Sequence, residues 1–352
     1  MPTHPIRALR ASSFGAFAHV DLEFASGLNV IVGDNGAGKS QLLKVLYACT
    51  ATLEESRDGA LSKTTLSRTL ASKLVGTFKP ESLGRLANRQ RGRARAEVRL
   101  KLGGLKEHLA FSFATNSRSE VVVASAPTRS LEDTPVFLPS RELLSIYPGF
   151  VSMYNERLLE FDETWKDTAD LLGRPPLRGP RSEAARELLA PIENLLDGRV
   201  SEVGGRFYLE QRGLGNLEMH LVAEGQRKLA MIVRLVQSGT LLQRGYLFWD
   251  EPEANLNPST LRAVAKVIDS LARSGVQVFV ATHSVFLLRE LSLLGASSGA
   301  SDYMITGLAR GPEGVVAAQA GSIQDLDLSY IRALEAEFEQ ADRYLTSDSS
   351  AI

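Results

Sequence analysis

Three short, mostly apolar runs punctuate the chain: Leu28 to Val32, Tyr246 to Trp249 and Val276 to Ala281. Runs of this length with few polar breaks suit strands buried on both faces. Val136-Phe137-Leu138 predicts another core strand. A different pattern starts at Arg93. Arg93, Arg95, Glu97, Arg99 and Lys101 alternate with Ala94, Ala96, Val98 and Leu100, which predicts a half-buried strand. Gly103-Gly104 supplies a turn, Leu109, Phe111 and Phe113 alternate on the return, and Val121 to Val123 predicts a third strand. Gln41 to Ala48 reads as a helix, and residues from about 145 to 200 read as mainly helical. The proline-rich stretch Gly173 to Arg181 interrupts them as an exposed loop. Ile331, Leu334, Phe338, Ala341 and Leu345 recur at spacings of three and four, a one-sided helical stripe that serves either core packing or docking.

The residues at the ends of the apolar runs carry the chemistry. After the first comes Gly33-Asp34-Asn35-Gly36-Ala37-Gly38-Lys39-Ser40, a complete G-x-x-x-x-G-K-[ST] loop between a strand and a helix. Such a turn curls backbone N–H groups around a β-phosphate at the positive end of a helix dipole. Asn35, Gly36, Ala37, Gly38, Lys39, Ser40 and Gln41 are therefore the expected nucleotide contacts, with Lys39 on the β/γ-phosphates and Ser40 on Mg²⁺. The second run ends in Asp250-Glu251. Asp250 is the expected Walker-B ligand to Mg²⁺. Glu251, one residue beyond the strand, is placed to deprotonate the attacking water. The third run ends in Thr282-His283-Ser284, where a histidine at a strand tip can touch a γ-phosphate. ATP and Mg²⁺ are the implied ligands.

These elements, with Leu221-Val222-Ala223-Glu224-Gly225-Gln226-Arg227-Lys228 before the Walker-B strand, resemble ABC-type ATPases. Within them, Phe248 to Pro258 and the opening Ser13-Phe14 and Val20 to Phe24 are similar to stand-alone bacterial AAA-type ATPases of the SMC/RecF/OLD group, many tied to phage defence or DNA repair. The resemblance covers roughly residues 1–50 and 215–290. It implies an α/β P-loop fold of the SMC/RecF head type, a mixed central sheet with an antiparallel β lobe and a helical insertion. It also implies a D-loop at Ala254 to Asn257 and a signature motif (Ala223, Gly225, Gln226) that meets the γ-phosphate of an opposite subunit in a head-to-tail dimer. The implied division is a core of 1–57, 130–145 and 215–346, a β lobe at 58–129, a mainly helical insertion at 146–214 and a disordered tail at 347–352.

Two departures from the family pattern matter. Ala223 stands where a signature serine is usual, which removes a trans hydrogen bond of about 0.5–1.5 kcal/mol. Glu224 brings negative charge unless Arg227 or Lys228 offsets it. Slow or partner-dependent hydrolysis and an ordinary working variant are both compatible with this. At the tip of the Val136 strand the family's polar sensor is replaced by Ser140 and Arg141, which serve equally well as a strand-to-helix turn.

Composition narrows the classes. The chain has 352 residues and 44% hydrophobic content, enough for a large core or two lobes. Lys+Arg 40 balance Asp+Glu 41, so no global charge draws it to nucleic acid. Arg85, Arg89, Arg91, Arg93, Arg95 and Arg99 form a local basic cluster without aromatic residues for stacking, open to nucleic acid, a protein or solvent. One cysteine, Cys49, excludes an intrachain disulfide. The N-terminus lacks a signal-peptide pattern and no apolar run approaches a membrane span, so a cytoplasmic protein is expected. No acidic cluster suggests a fused metal nuclease. Two roles stay open: a nucleotide-gated scaffold for a separately encoded effector, and an ATPase acting directly on DNA. A transporter subunit is more distant, since no coupling segment is recognisable.

Overall fold

The computed structural model describes residues 1–58, 62–88, 94–242, 244–296 and 302–349. The chain opens with the hairpin β1 (Ile6–Phe14) and β2 (Phe17–Glu23), then β3 (Leu28–Gly33) and helix α1 (Lys39–Glu55). Helix α2 (Lys63–Phe78) precedes a meander of β4 (Arg95–Leu102), β5 (Leu109–Ala114) and β6 (Val122–Ser125), and β7 (Pro135–Leu138) follows. Helices α3 (Tyr147–Asn155), α4 (Glu163–Leu172) and α5 (Glu183–Leu196) lead to β8 (Gly198–Val203), β9 (Arg206–Gln211) and β10 (Gly215–Glu218). The remainder is α6 (Glu224–Gln237), β11 (Tyr246–Asp250), α7 (Pro258–Arg273), β12 (Gln277–Thr282), α8 (Val285–Ala296), β13 (Tyr303–Gly311), β14 (Gly314–Ala320) and α9 (Arg332–Ser349).

One eleven-stranded mixed sheet runs β6-β5-β4-β1-β2-β14-β13-β3-β12-β11-β7. Its β13-β3-β12-β11-β7 half is parallel, so β3, β11 and β12 bring their C-terminal tips to the same edge. All six residues of β3 and of β12 are buried, as runs apolar on both faces require. Alternate residues feed two cores. Ile31, Phe248 and Phe279 pack with α1 and the meander, whereas Val30, Trp249 and Val280 pack with α5, α6 and α7. The single cysteine, Cys49, sits in the first of these, where burial pushes its thiol up to about 12.

The meander follows the expected alternation: Ala96, Val98, Leu100 and Leu102 are buried and the charged residues between them exposed. It is continuous with the main sheet through β4 and β1, not a sheet of its own. The segment expected to be mainly helical between 146 and 214 is helical only to Leu196. From Gly198 it becomes the small antiparallel sheet β10-β9-β8. The C-terminal helix continues to Ser349, into the stretch expected as a disordered tail, and residues 350–352 lie outside the described ones. Of the predicted stripe, Ile331 and Leu334 are buried while Phe338 and Leu345 are exposed, so full burial is confined to its first turn.

Candidate phosphate-binding site at the strand tips

The loop after β3 has the backbone that phosphate binding needs. Gly38 has φ 90°, and a Cβ there would meet Phe17 Cζ at 3.0 Å. At Gly33 a Cβ would lie 2.2 Å from the Leu308 carbonyl oxygen, so the loop can leave the strand only at a glycine. Lys39 is 4% exposed, and its Nζ donates to the carbonyls of Gly33 (2.8 Å) and Asp34 (3.1 Å). Burial lowers its pKa, and Glu251, Asp250 and Glu253 pull the other way. Asn35 and Gly36 are exposed on the loop crest, whereas Ala37 is buried. The Gln41 side chain braces the fold. Its Oε1 accepts from the Ala16 N–H at 2.8 Å and clasps the β1–β2 turn to α1.

Asp250 closes β11 opposite this loop. Burial pushes its carboxyl up to about 6, and a hydrogen bond from Ser40 opposes the shift. Its Oδ1 is buried with no hydrogen-bond partner. A desolvated carboxylate oxygen beside a hydroxyl is a good fit for a hydrated divalent cation, which would satisfy both. Among the described residues no group of three or more His, Cys, Asp and Glu forms a metal cage. Mg²⁺ suits such a sparse donor set, because it commonly combines one or two protein oxygens with phosphate oxygens and water.

Glu251 follows in the left-handed region at φ 46°, although its N–H still pairs with the Ala281 carbonyl at 2.9 Å. A non-glycine residue held there costs on the order of 1–3 kcal/mol, a strain that clusters at functional positions. The turn places its carboxylate at the tip of β12, where Oε1 is 3.3 Å from His283 Nδ1. His283 also lines a cavity of about 200 Å³ with Gly33, Asp34 and Asn35 of the loop, Thr282, Ser284, and Ile331 to Ala333. Thus Lys39, Ser40, Asp250, Glu251 and His283 gather at one sheet edge, as their strand-end positions imply.

The signature residues do not join them. Ala223, Gly225 and Gln226 line a separate cleft of about 570 Å³ with Asn255, Leu256 and Thr260. Ala223 occupies the N-cap of α6 without a side-chain capping bond. Neither Arg227 nor Lys228 forms a direct ion pair with Glu224, although the Glu224 charge does act on Lys228. Arg227 instead pairs with Glu142 at 2.9 Å, and buried Lys228 donates to the Ala254 carbonyl at 2.6 Å. Glu224 is held by Asn255, whose Nδ2 lies 3.1 Å from each carboxylate oxygen. Asn255 reaches it from a left-handed φ of 62°.

Several neighbours carried no signal in the sequence. Arg310 Nε donates to the Gly36 carbonyl at 3.3 Å, Arg332 pairs with Asp34 at 3.7 Å, and Glu253 is 7% exposed beneath His283. A sequence cannot indicate these contacts, since most join segments far apart in the chain. Ser140 is half-buried and Arg141 exposed, and neither lines the cavity beside His283. In the basic cluster Arg89, Arg91 and Arg93 lie outside the described residues. Arg85 pairs with Glu81, and Arg95 donates to Ser112.

The chain is similar to several known proteins. A family model described as "AAA domain, putative AbiEii toxin, Type IV TA system" matches residues 139–289, and one described as "AAA domain" matches residues 8–132. The glutamine transport ATP-binding protein GlnQ of Bacillus subtilis is 24% identical over 183 residues, 50% of this chain and 74% of that protein. An Smc head bound to the C-winged helix domain of ScpA superposes with a TM-score of 0.53 at 14% identity, covering 91% of this chain and 98% of the other. An Smc head with an extended coiled coil, bound to the C-terminal domain of ScpA from Pyrococcus furiosus, gives 0.51 at 14% identity, covering 96% and 100%. The fold is that of Smc head domains, α/β with one large mixed sheet. No described helix is long and apolar enough to cross a membrane.

Proposed function

We propose that this P-loop ATPase of the AAA/ABC kind binds ATP with Mg²⁺, hydrolyses it, and closes into a head-to-tail dimer around the nucleotide. One observation carries the reading: the phosphate loop, Asp250, Glu251 and His283 share one sheet edge, while the signature residues face a different cleft. Each chain then holds two complementary half-sites. Asn35 to Gln41 would cradle the triphosphate, with Lys39 leaving the loop carbonyls to meet its negative charge. Ser40 and Asp250 would hold Mg²⁺, which when bound neutralises phosphate charge. Glu251 takes the proton of the attacking water, and His283 contacts the γ-phosphate. Ala223, Gly225 and Gln226 of an opposing chain would complete the site, Gly225 through its backbone N–H.

For the biological role we favour a nucleotide-gated scaffold that holds a separately encoded effector protein in a cytoplasmic phage-defence setting. The missing signature hydroxyl supports it, as does the absence of a long coiled coil among the described residues. The comparison heads were solved with ScpA bound, a protein partner on the same fold. The exposed end of α9 at Phe338 and the exposed face of β4 at Arg95 and Arg99 are the candidate docking faces. ATP turnover with and without DNA, together with co-purification of a neighbour-encoded protein, tests the role. Low, DNA-insensitive turnover with a captured partner supports the scaffold. Strong DNA stimulation without any partner, lost on replacing Arg95 and Arg99 by alanine, supports direct action on DNA in repair instead.

A further inference from the structure

Glu253 is a carboxylate that the mechanism above does not use, and it is nearly buried. Its side chain is 6% exposed. Oε1 accepts from Thr282 Oγ1 (2.6 Å), the His283 N–H (2.9 Å) and the Ser284 N–H (3.3 Å). Those donors make up the turn that leaves β12. Oε2 is buried with no partner. Burying a carboxylate is costly unless several donors receive it, so the turn and the carboxylate hold each other in place.

The imidazole sits within reach of the same group. His283 Nδ1 is 3.4 Å from Glu253 Oε1 and 3.3 Å from Glu251 Oε1. Both lengths exceed the usual N–H···O range, so the ring lies beside both carboxylates and is hydrogen-bonded to neither. Glu253 is also tied into the D-loop. Its carbonyl accepts from the Leu256 N–H at 3.0 Å, and the next two residues bond to α6 through Lys228 and Glu224.

We infer that Glu253 is a positioning residue that anchors the turn leaving β12 and competes with Glu251 for the His283 ring, which keeps the Glu251 carboxylate available to water. The inference rests on the ATPase reading for its kinetic consequence but not for its structural one. When the charge at 253 is lost, His283 turns wholly onto Glu251 and occupies the base. Glu253 thereby joins the D-loop, and through it the signature helix, to the histidine at the γ-phosphate end.

The test is Glu253→Gln, which keeps an amide oxygen for the backbone donors. Turnover should fall about 10- to 100-fold with KM for ATP within about twofold, as expected when a general base is engaged and binding is spared. In the His283→Ala background the same change should have no further effect. Ring-nitrogen NMR of the five histidines, with His283 identified by its loss in His283→Ala, should show His283 shifted in Glu253→Gln. Unchanged turnover and an unmoved His283 signal overturn the proposal, as does an equal rate loss with and without His283. If the wild type proves inactive, the ATPase reading fails, and the NMR signal alone still decides whether Glu253 positions the ring.

Discussion

The two clefts of this chain are built on opposite terms. The strand-tip cleft is fixed by parallel register: Gly33, Asp250 and Thr282 end neighbouring strands, and β3 and β12 are buried along their whole length between two cores. Its functional groups are correspondingly stressed, with Asp250 desolvated and Glu251 at φ 46°. The signature cleft is made of a helix start and a turn. It is latched by Asn255 on half-buried Glu224, and Gly225 packs against Leu256 and Thr260. On the proposed function, a site that does chemistry is locked before substrate arrives, whereas a surface that meets another molecule can stay open until it does.

The largest expected effect lies in the locked cleft. Lys39→Ala removes the cation that the proposed site sets against the β/γ-phosphates, and calorimetry should show ATP affinity reduced beyond detection while the unfolding transition stays cooperative. Undiminished affinity would break the assignment of this cleft. Glu251→Gln comes next. It keeps the side chain's shape, so ATP should still bind, and turnover should drop about 10²- to 10⁴-fold, the usual worth of a positioned base. A near-normal rate would move the base elsewhere.

Asp250 allows a test of stress. Its folded-state pKa of about 6 lies above its ordinary value of 3.8, so the protonated form favours folding. That contribution is fully present below about pH 3.8 and is lost as pH rises through 6. Asp250→Asn should therefore stabilise the protein above pH 6, by about 3 kcal/mol at one pKa unit per 1.36 kcal/mol, and the gain should vanish at acid pH. Melting curves from about pH 3.5 to 8 check it. A gain that does not depend on pH would remove desolvation as the cause.

The smallest effect belongs to the open cleft. Ala223→Ser supplies both an N-cap for α6 and the signature hydroxyl. Stability should rise by about 0.5–2 kcal/mol. ATP-dependent dimerisation or turnover should rise about three- to tenfold, the worth of one hydrogen bond. A rise in stability alone would mean that the backbone of Gly225 suffices.

The same contrast explains what the sequence could reveal. The phosphate loop and the β4 alternation are local patterns, and each is readable because a strand's period and a glycine's φ are written into adjacent residues. The small sheet β8 to β10 escapes such a reading because it buries little: Val200 in β8, Phe207 and Leu209 in β9, and no residue of β10 is fully buried. Short, mostly exposed strands leave no clear period. Glu253, Glu142 and the Asn255–Glu224 latch are invisible for another reason. Their partners are supplied by pairing of segments tens of residues away. The stripe from Ile331 to Leu345 predicts the correct helix but not its cover, since periodicity names a face without naming what lies against it.

The central claim is that the two clefts of one chain are halves of a site that only a second chain completes. Sedimentation of Glu251→Gln with ATP and Mg²⁺ measures it directly, set beside the same protein carrying Gly225→Asp in addition. The account predicts a dimer that forms with ATP, falls apart on removal of Mg²⁺, and is lost with Gly225→Asp although each chain still binds ATP. An ATP-loaded monomer at every concentration, or a dimer indifferent to Gly225, would contradict it.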